Sequence, residues 1–321
     1  MSDTNETKWG RIGGWARDNT NLLLLFALVV AGVLLSDNFF SWTNLMNLMR
    51  RVSVNGVMAV GFTMTLLVGG FDLSIGATLS LCALLCVGIE KSSGSAALGM
   101  AVALAAGLAM GSLNGLLMMI TRGGSGEAFL ITLATGMVGT AIALTYCSGL
   151  DIYGVSAGWY KAVGQGNVAT FPIAAIIWIV LMILMQIVIK KTRFGRNLLL
   201  SGANKKSAFL VGINVNAMKF AGFAFAGIMA AVAAIIMTAR TTAASPYSGN
   251  GADFDAAIAS IVGGNSLVGG KGGMVQVLIG VMIYGLITNI LNLTGVDSVV
   301  QYIVKGAVLL LAICLDKLNR R

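Results

Sequence analysis

The chain has 321 residues, of which 57% are hydrophobic and only 10% are charged, with two prolines and a mean hydropathy of +0.88. A soluble domain carries about 25% charged residues, so these values exclude an ordinary soluble enzyme or binding domain and describe an all-α, polytopic membrane protein. The net charge of +9 does not indicate nucleic acid as a partner. The cations gather at the ends of apolar stretches, with no basic face or stacking platform beside them.

Residues 1–20 are polar, and Lys8, Arg11 and Arg17 precede an apolar run over 22–35. Ser36-Asp37-Asn38 is a poor cleavage site, so this run reads as an uncleaved first span rather than a signal peptide. Phe39, Phe40 and Trp42 then form an interfacial aromatic pattern. Further spans are predicted over 52–68, 74–89, 97–120, 129–146 and 171–189. A polar interruption over 190–219 follows, and then 220–238, a short segment over 254–267, 274–293 and 299–315. That gives about ten transmembrane segments within 21–315, arranged as two weakly related halves, with short ends at 1–20 and 316–321.

An even number of crossings puts both ends on one side. Placing them in the cytoplasm leaves six of the 21 Lys and Arg outside, namely Arg50, Arg51, Lys91, Lys161, Arg240 and Lys305. The inward bias of cations supports this N-in, C-in arrangement.

The interruption over 190–219 carries Lys190, Lys191, Arg193, Arg196, Lys205, Lys206 and Lys219, a cytoplasmic signature because cationic loops resist translocation. It also carries Phe194, Leu198, Leu199 and Leu200, then Ala208, Phe209, Leu210, Val211 and Ile213. These are enough for two short amphipathic helices, separated around Gly202 and Asn204. The residues alone leave two readings open: an elbow that docks a partner, or a basic loop held by anionic headgroups.

Two stretches are too glycine-rich for ordinary spans, Gly69 to Gly76 and Asp253 to Gly270. Both contain F-D-x-x-I, as Phe71, Asp72 and Ile75 and as Phe254, Asp255 and Ile258. Paired interruptions in corresponding halves point to a transport path. Asp72 and Asp255 either border that path or cap the helices that start after them. Gly107, Gly111 and Gly115 form a stripe suited to close helix contact. Lys305, inside an apolar segment, needs a route to the interface or an acid such as Asp297. Cys82, Cys86, Cys147 and Cys314 read as core thiols, since the chain has no His to complete a zinc site. Gly264 to Gly272 has the wrong spacing for a phosphate loop, and no nucleophile–base pair or metal set occurs. No cofactor and no enzymatic activity are therefore expected of this chain.

The motifs resemble the permease subunits of bacterial ABC importers for monosaccharides, the ribose, galactose and xylose permeases, from about residue 45 onward. Gly69 to Gly76 is similar to that family's G-G-x-D-L-S-x-G, and Thr192 to Gly195 with Gly202 to Val215 to its cytoplasmic coupling stretch. Phe254 to Gly270 resembles its x-D-A-I-A-x-x-x-x-G-G-x-S-x-x-G-G, and Asn292 to Gly295 with Gln301, Lys305 and Gly306 resembles its C-terminal pattern. Lys205 and Lys206 stand where the family usually has Pro and Glu.

The resemblance implies an inner-membrane subunit that works by alternating access with a second permease copy, identical or closely related. It also implies a tandem ATPase that binds ATP and Mg and a periplasmic sugar-binding protein. Candidate path residues are Asp72, Ser74, Asn114, Asp255, Asn265 and Ser266. Candidate coupling residues are Phe194, Gly195, Gly202, Asn204, Ala208, Phe209, Leu210, Gly212 and Ile213. The alternative is an ion-coupled secondary transporter acting alone, with Asp72 or Asp255 as its ion ligand.

Overall fold

The computed structural model describes residues 20–155 and 157–318. The expected cytoplasmic end cations Lys8, Arg11, Arg17, Arg320 and Arg321 lie outside the described residues. Thirteen helices occupy most of the described chain. They are α1 (Thr20–Leu35), α2 (Trp42–Leu67), α3 (Ile75–Ser93), α4 (Ala96–Thr121), α5 (Ser125–Cys147), α6 (Gly158–Gln165) and α7 (Ile173–Lys191). Then come α8 (Arg193–Ala203), α9 (Lys205–Leu210), α10 (Val215–Thr241), α11 (Ala252–Val262), α12 (Met274–Leu293) and α13 (Ser298–Leu318). Two-residue strands β1 (Ile152–Tyr153) and β4 (Ala243–Ala244) pair antiparallel. The strands β2 (Asn167–Val168) and β3 (Phe171–Pro172) form a second small ribbon.

Among the described residues six helices, α3, α4, α5, α7, α10 and α12, are long and apolar enough to cross a membrane. Of the roughly ten spans expected, length and composition support these six among the described residues. α1 and the apolar part of α13 are shorter, and α2 carries Arg50 and Arg51. The segment expected over 254–267 is helical only as α11, whose 11 residues reach about 16 Å. The hydrocarbon core is about 30 Å thick, so α11 cannot cross it as a helix.

α2 and α10 form the centre. Between Val52 and Leu67 nearly every residue of α2 is buried, because α7, α10, α11 and α12 surround it. α10 packs against α2, α3 and α4, and its seam with α4 is the predicted glycine stripe. A Cβ on Gly107 would lie 2.4 Å from the Gly227 carbonyl oxygen, and one on Gly227 would lie 2.0 Å from that of Gly107. Only glycine on both sides permits this backbone-to-backbone contact. The β1–β4 pair joins the loops at one end of the bundle, while α8 and α9 sit at the other.

Candidate functional site

The first glycine-rich break separates α2 from α3 and holds Asp72, 2% exposed. Its Oδ1 accepts a 2.9 Å bond from the Ser74 amide and a 2.6 Å bond from the Ser74 hydroxyl. The Ser74 hydroxyl in turn accepts from Asn114 Nδ2 at 2.7 Å, and Thr135 Oγ1 donates to Asn114 Oδ1 at 2.6 Å. All four side chains are buried. This chain of bonds ties the break to α4 and α5 and satisfies groups that would be costly in a membrane interior if left alone. The residue at the N-cap of α3 is Ser74, not Asp72, so the acid acts one step upstream by fixing the turn that presents the cap.

The second break lies between α11 and α12. Asn265 is buried, accepts from the Gly273 amide at 2.8 Å and donates to Ser260 Oγ at 3.2 Å. Ser266 is half-buried, and its amide donates to the Lys271 carbonyl at 3.1 Å. Both residues shape the glycine turn. The F-D-x-x-I echo is not a structural repeat: Phe71 to Asp72 are irregular chain, whereas Phe254, Asp255 and Ile258 are inside α11. Asp255 is not an N-cap either, that position being Gly251. Lys305 pairs with Asp255, at 3.1 Å from Oδ2, and not with Asp297. The ammonium sits 5.3 Å and 5.5 Å from the Tyr284 and Tyr302 ring centres. Asp297 instead accepts from the Val299 amide in the first turn of α13.

The two breaks touch each other and the elbow. The Gly270 amide donates to the Leu67 carbonyl at 3.0 Å. A Cβ on Gly269 would lie 2.7 Å from the Gly69 amide nitrogen, and one on Gly202 only 1.9 Å from the Leu67 oxygen. The end of α8 therefore rests directly on both glycine turns, held by backbone contacts that a side chain would prevent. Neither break alone reveals this junction in the sequence.

The elbow has the two helices expected, α8 and α9, though Gly202 lies inside α8 and only Asn204 divides them. Asn204 caps α9 by accepting from the Ser207 amide at 3.0 Å. Gly195 packs on the Ile189 backbone, and Leu198, Ala208 and Ile213 are buried. Leu198, fully buried, anchors α8 on the bundle. Phe194 is half-buried, and Gly212 has positive φ in the turn after α9. Phe209 (74% exposed), Leu210 (82%) and its neighbour Val211 (71%) project from the tip. Beside them, Lys205 and the buried Lys219 both donate to the Gly123 carbonyl.

A cleft of about 460 Å³ opens between α3, α5 and the turn before α11, lined among others by Gly76, Ser80, Thr140, Asn250, Asp253 and Phe254. The acid on this cleft is Asp253, which sequence reasoning passed over for Asp255. Two residues apart on a helix, the two acids face different sides.

The family model described as "Branched-chain amino acid transport system / permease component" matches residues 44–313. The chain belongs to this permease family. It is 38% identical to the ribose import permease protein of Bacillus subtilis over 91% of this chain and 90% of that protein. It is 35% identical to the ribose import permease protein of Escherichia coli over 98% of both. The L-arabinose transport system permease protein of E. coli is 30% identical over 98% of this chain and 93% of its own length. No solved structure matches the chain. The six apolar helices and the permease relatives together make it a multi-pass membrane protein, and the family resemblance read from the motifs holds.

Proposed function

We propose that this permease is the membrane-spanning subunit of an ATP-driven importer that moves a monosaccharide of the ribose or galactose kind across the bacterial inner membrane. The observation that carries the reading is the near full-length similarity to permeases named for ribose and L-arabinose. A binding protein delivers the sugar from outside, and two permease copies form the path. A separate ATPase binds ATP and Mg; the chain itself binds no nucleotide. Both termini lie in the cytoplasm, and α1, α2, α11 and α13 complete the membrane region beside the six long spans.

The elbow is the ATPase dock in this proposal. Phe209, Leu210 and Val211 stand free of the bundle although they are large and apolar. A merely topological loop needs the cations and not these side chains. A partner groove with an acidic rim suits an apolar tip flanked by Lys205 and Lys206. Motion of α8 then reaches the two glycine breaks through Gly202 and Ala203. The Asp253 cleft and the Asp72–Ser74–Asn114 network are the candidate path elements, while Asn265 and Ser266 hold the turn that meets α8. The test is uptake of labelled ribose, galactose and arabinose into proteoliposomes holding permease and ATPase, with the binding protein and ATP supplied. ATP-independent accumulation by the permease alone would refute the reading.

A further inference from the structure

Beside the elbow lies a cavity of about 480 Å³ on which three cations from three elements converge. Arg122 caps the end of α4, Lys205 opens α9, and Lys219 lies in the first turns of α10. Lys219 is only 2% exposed, and its ammonium donates to the Gly123 carbonyl, to which Lys205 Nζ also donates at 3.2 Å. Two like charges thus share one neutral oxygen, although each ammonium has three donors to satisfy. A buried charge held only by a neutral group is costly, and a counter-charge relieves it. Glu127, the acid whose field they feel, spends its carboxylate on the Gly124 amide at 2.7 Å. It pairs with neither lysine, since the ion pair among the described residues is Lys305 with Asp255.

The rest of the wall suits a phosphate with an apolar tail. Val215 and Asn216, the first residues of α10, line the cavity, and their amides have no carbonyl within the helix to donate to. Asn214 caps only the Ala217 amide, at 3.0 Å. The positive end of a 27-residue helix therefore faces the same space as the three cations. Phe209 and Ile213 supply an apolar side. Leu113, Leu116 and Ile120 are exposed on α4, a helix long enough to cross a membrane. Their spacing puts them on one face, and this stripe runs to the helix end at Arg122. An acyl chain lies along such a stripe when its headgroup sits at the cations, whereas a soluble anion has no use for it. Lys206, Leu210 and Val211 do not line the cavity and are left for the ATPase.

We propose that the Arg122–Lys205–Lys219 cavity binds the phosphate of an anionic phospholipid from the leaflet on the elbow side. The phosphodiester accepts from the two ammoniums, from the Arg122 guanidinium fork and from the first amides of α10. Its charge joins the ends of α4 and α10 to α9, three elements whose cations otherwise repel one another. The elbow is then held to the bundle by a lipid as well as by protein contacts. This site depends on the charges and the stripe alone, so it holds whatever solute the permease carries.

The experiment titrates the full-length permease, purified in a neutral detergent, with phosphatidylglycerol, phosphatidylcholine or inorganic phosphate. Thermal midpoint and lipid retention in native mass spectra are read together. Phosphatidylglycerol should raise the midpoint saturably and stay bound, with phosphatidylcholine weaker by roughly tenfold or more. Arg122→Gln and Lys205→Gln, both at exposed positions, should each weaken phosphatidylglycerol binding roughly fivefold or more. Lys206→Gln, outside the cavity, should change it less than about twofold. Lys219→Met should abolish binding, and if that variant fails to fold the two exposed variants decide. Unchanged affinity in both exposed variants, or equal affinity for phosphatidylcholine, overturns the site. Inorganic phosphate should give no saturable shift; a rise abolished by Arg122→Gln would assign the cavity to a soluble phosphate and overturn the lipid. The permease–ATPase complex should retain the phosphatidylglycerol. Its loss on assembly would give these cations to acidic side chains of the partner, and that too overturns the assignment.

Discussion

Replacing Gly202 with alanine tests whether the junction of elbow and glycine breaks carries force. The new Cβ would lie 1.9 Å from the Leu67 oxygen and 2.8 Å from the Gly270 amide nitrogen. A carbon and a carbonyl oxygen need about 3.3 Å even in close contact, so something must move by about 1.4 Å. The obstacles are backbone atoms, which cannot rotate aside. Gly270 has no free space behind it either, since Ala203 already lies against it. Overpacking of this kind costs about 1–3 kcal/mol. Stretching the 3.0 Å bond from Gly270 to Leu67 adds about 0.5–1.5 kcal/mol. The purified permease should therefore lose several degrees of thermal midpoint. In proteoliposomes the complex should move fewer sugars per ATP hydrolysed, because α8 no longer seats on the breaks. Gly126→Ala is the control: its Cβ would meet nothing within 4 Å, and both readouts should match wild type. A Gly202→Ala permease with unchanged midpoint and unchanged coupling would refute the proposed route.

Other changes probe separate contacts. Phe209→Asp or Leu210→Asp should weaken co-purification of the ATPase by roughly 2 kcal/mol or more per site, as burial of one large apolar side chain contributes about 1.5–3 kcal/mol; retention of the ATPase by Phe209→Asp would move the dock elsewhere. Lys305→Met leaves Asp255 unpaired and should cost up to about 3 kcal/mol in a denaturation series, with much of it recovered in the Lys305→Met/Asp255→Leu double variant. Failure of the double variant to recover would mean that the ion pair is not what Lys305 contributes. Asp72→Asn keeps an acceptor for Ser74 and should fold, whereas Asp72→Leu strands the Ser74 amide and hydroxyl and should destabilise by about 1–3 kcal/mol; equal stability of the two would show the network is not holding the break. The purified permease alone should show no ATP hydrolysis above background, and turnover in a partner-free preparation would contradict its assigned role.

The membrane class, most span positions and the cationic elbow were legible because partition between water and lipid acts residue by residue. A run such as 173–191 or a cluster such as Lys190 to Arg196 declares itself without knowledge of its neighbours. The Gly107–Gly111–Gly115 stripe was legible too, since helical spacing alone puts the three on one face. What α11 does was not: its apolar content left a full crossing open, and the helix ends at Val262 after 11 residues. The partner of Lys305 was misjudged for the same reason. Asp297 is nearer in sequence, but Asp255, fifty residues away, is nearer in space. Asn114 bonding Ser74, Gly202 resting on Leu67 and Lys205 sharing the Gly123 carbonyl with Lys219 are likewise decided by how distant helices pack. Such contacts depend on the rotation and depth of whole helices, and one-dimensional periodicity fixes which face is apolar but not which neighbour it meets.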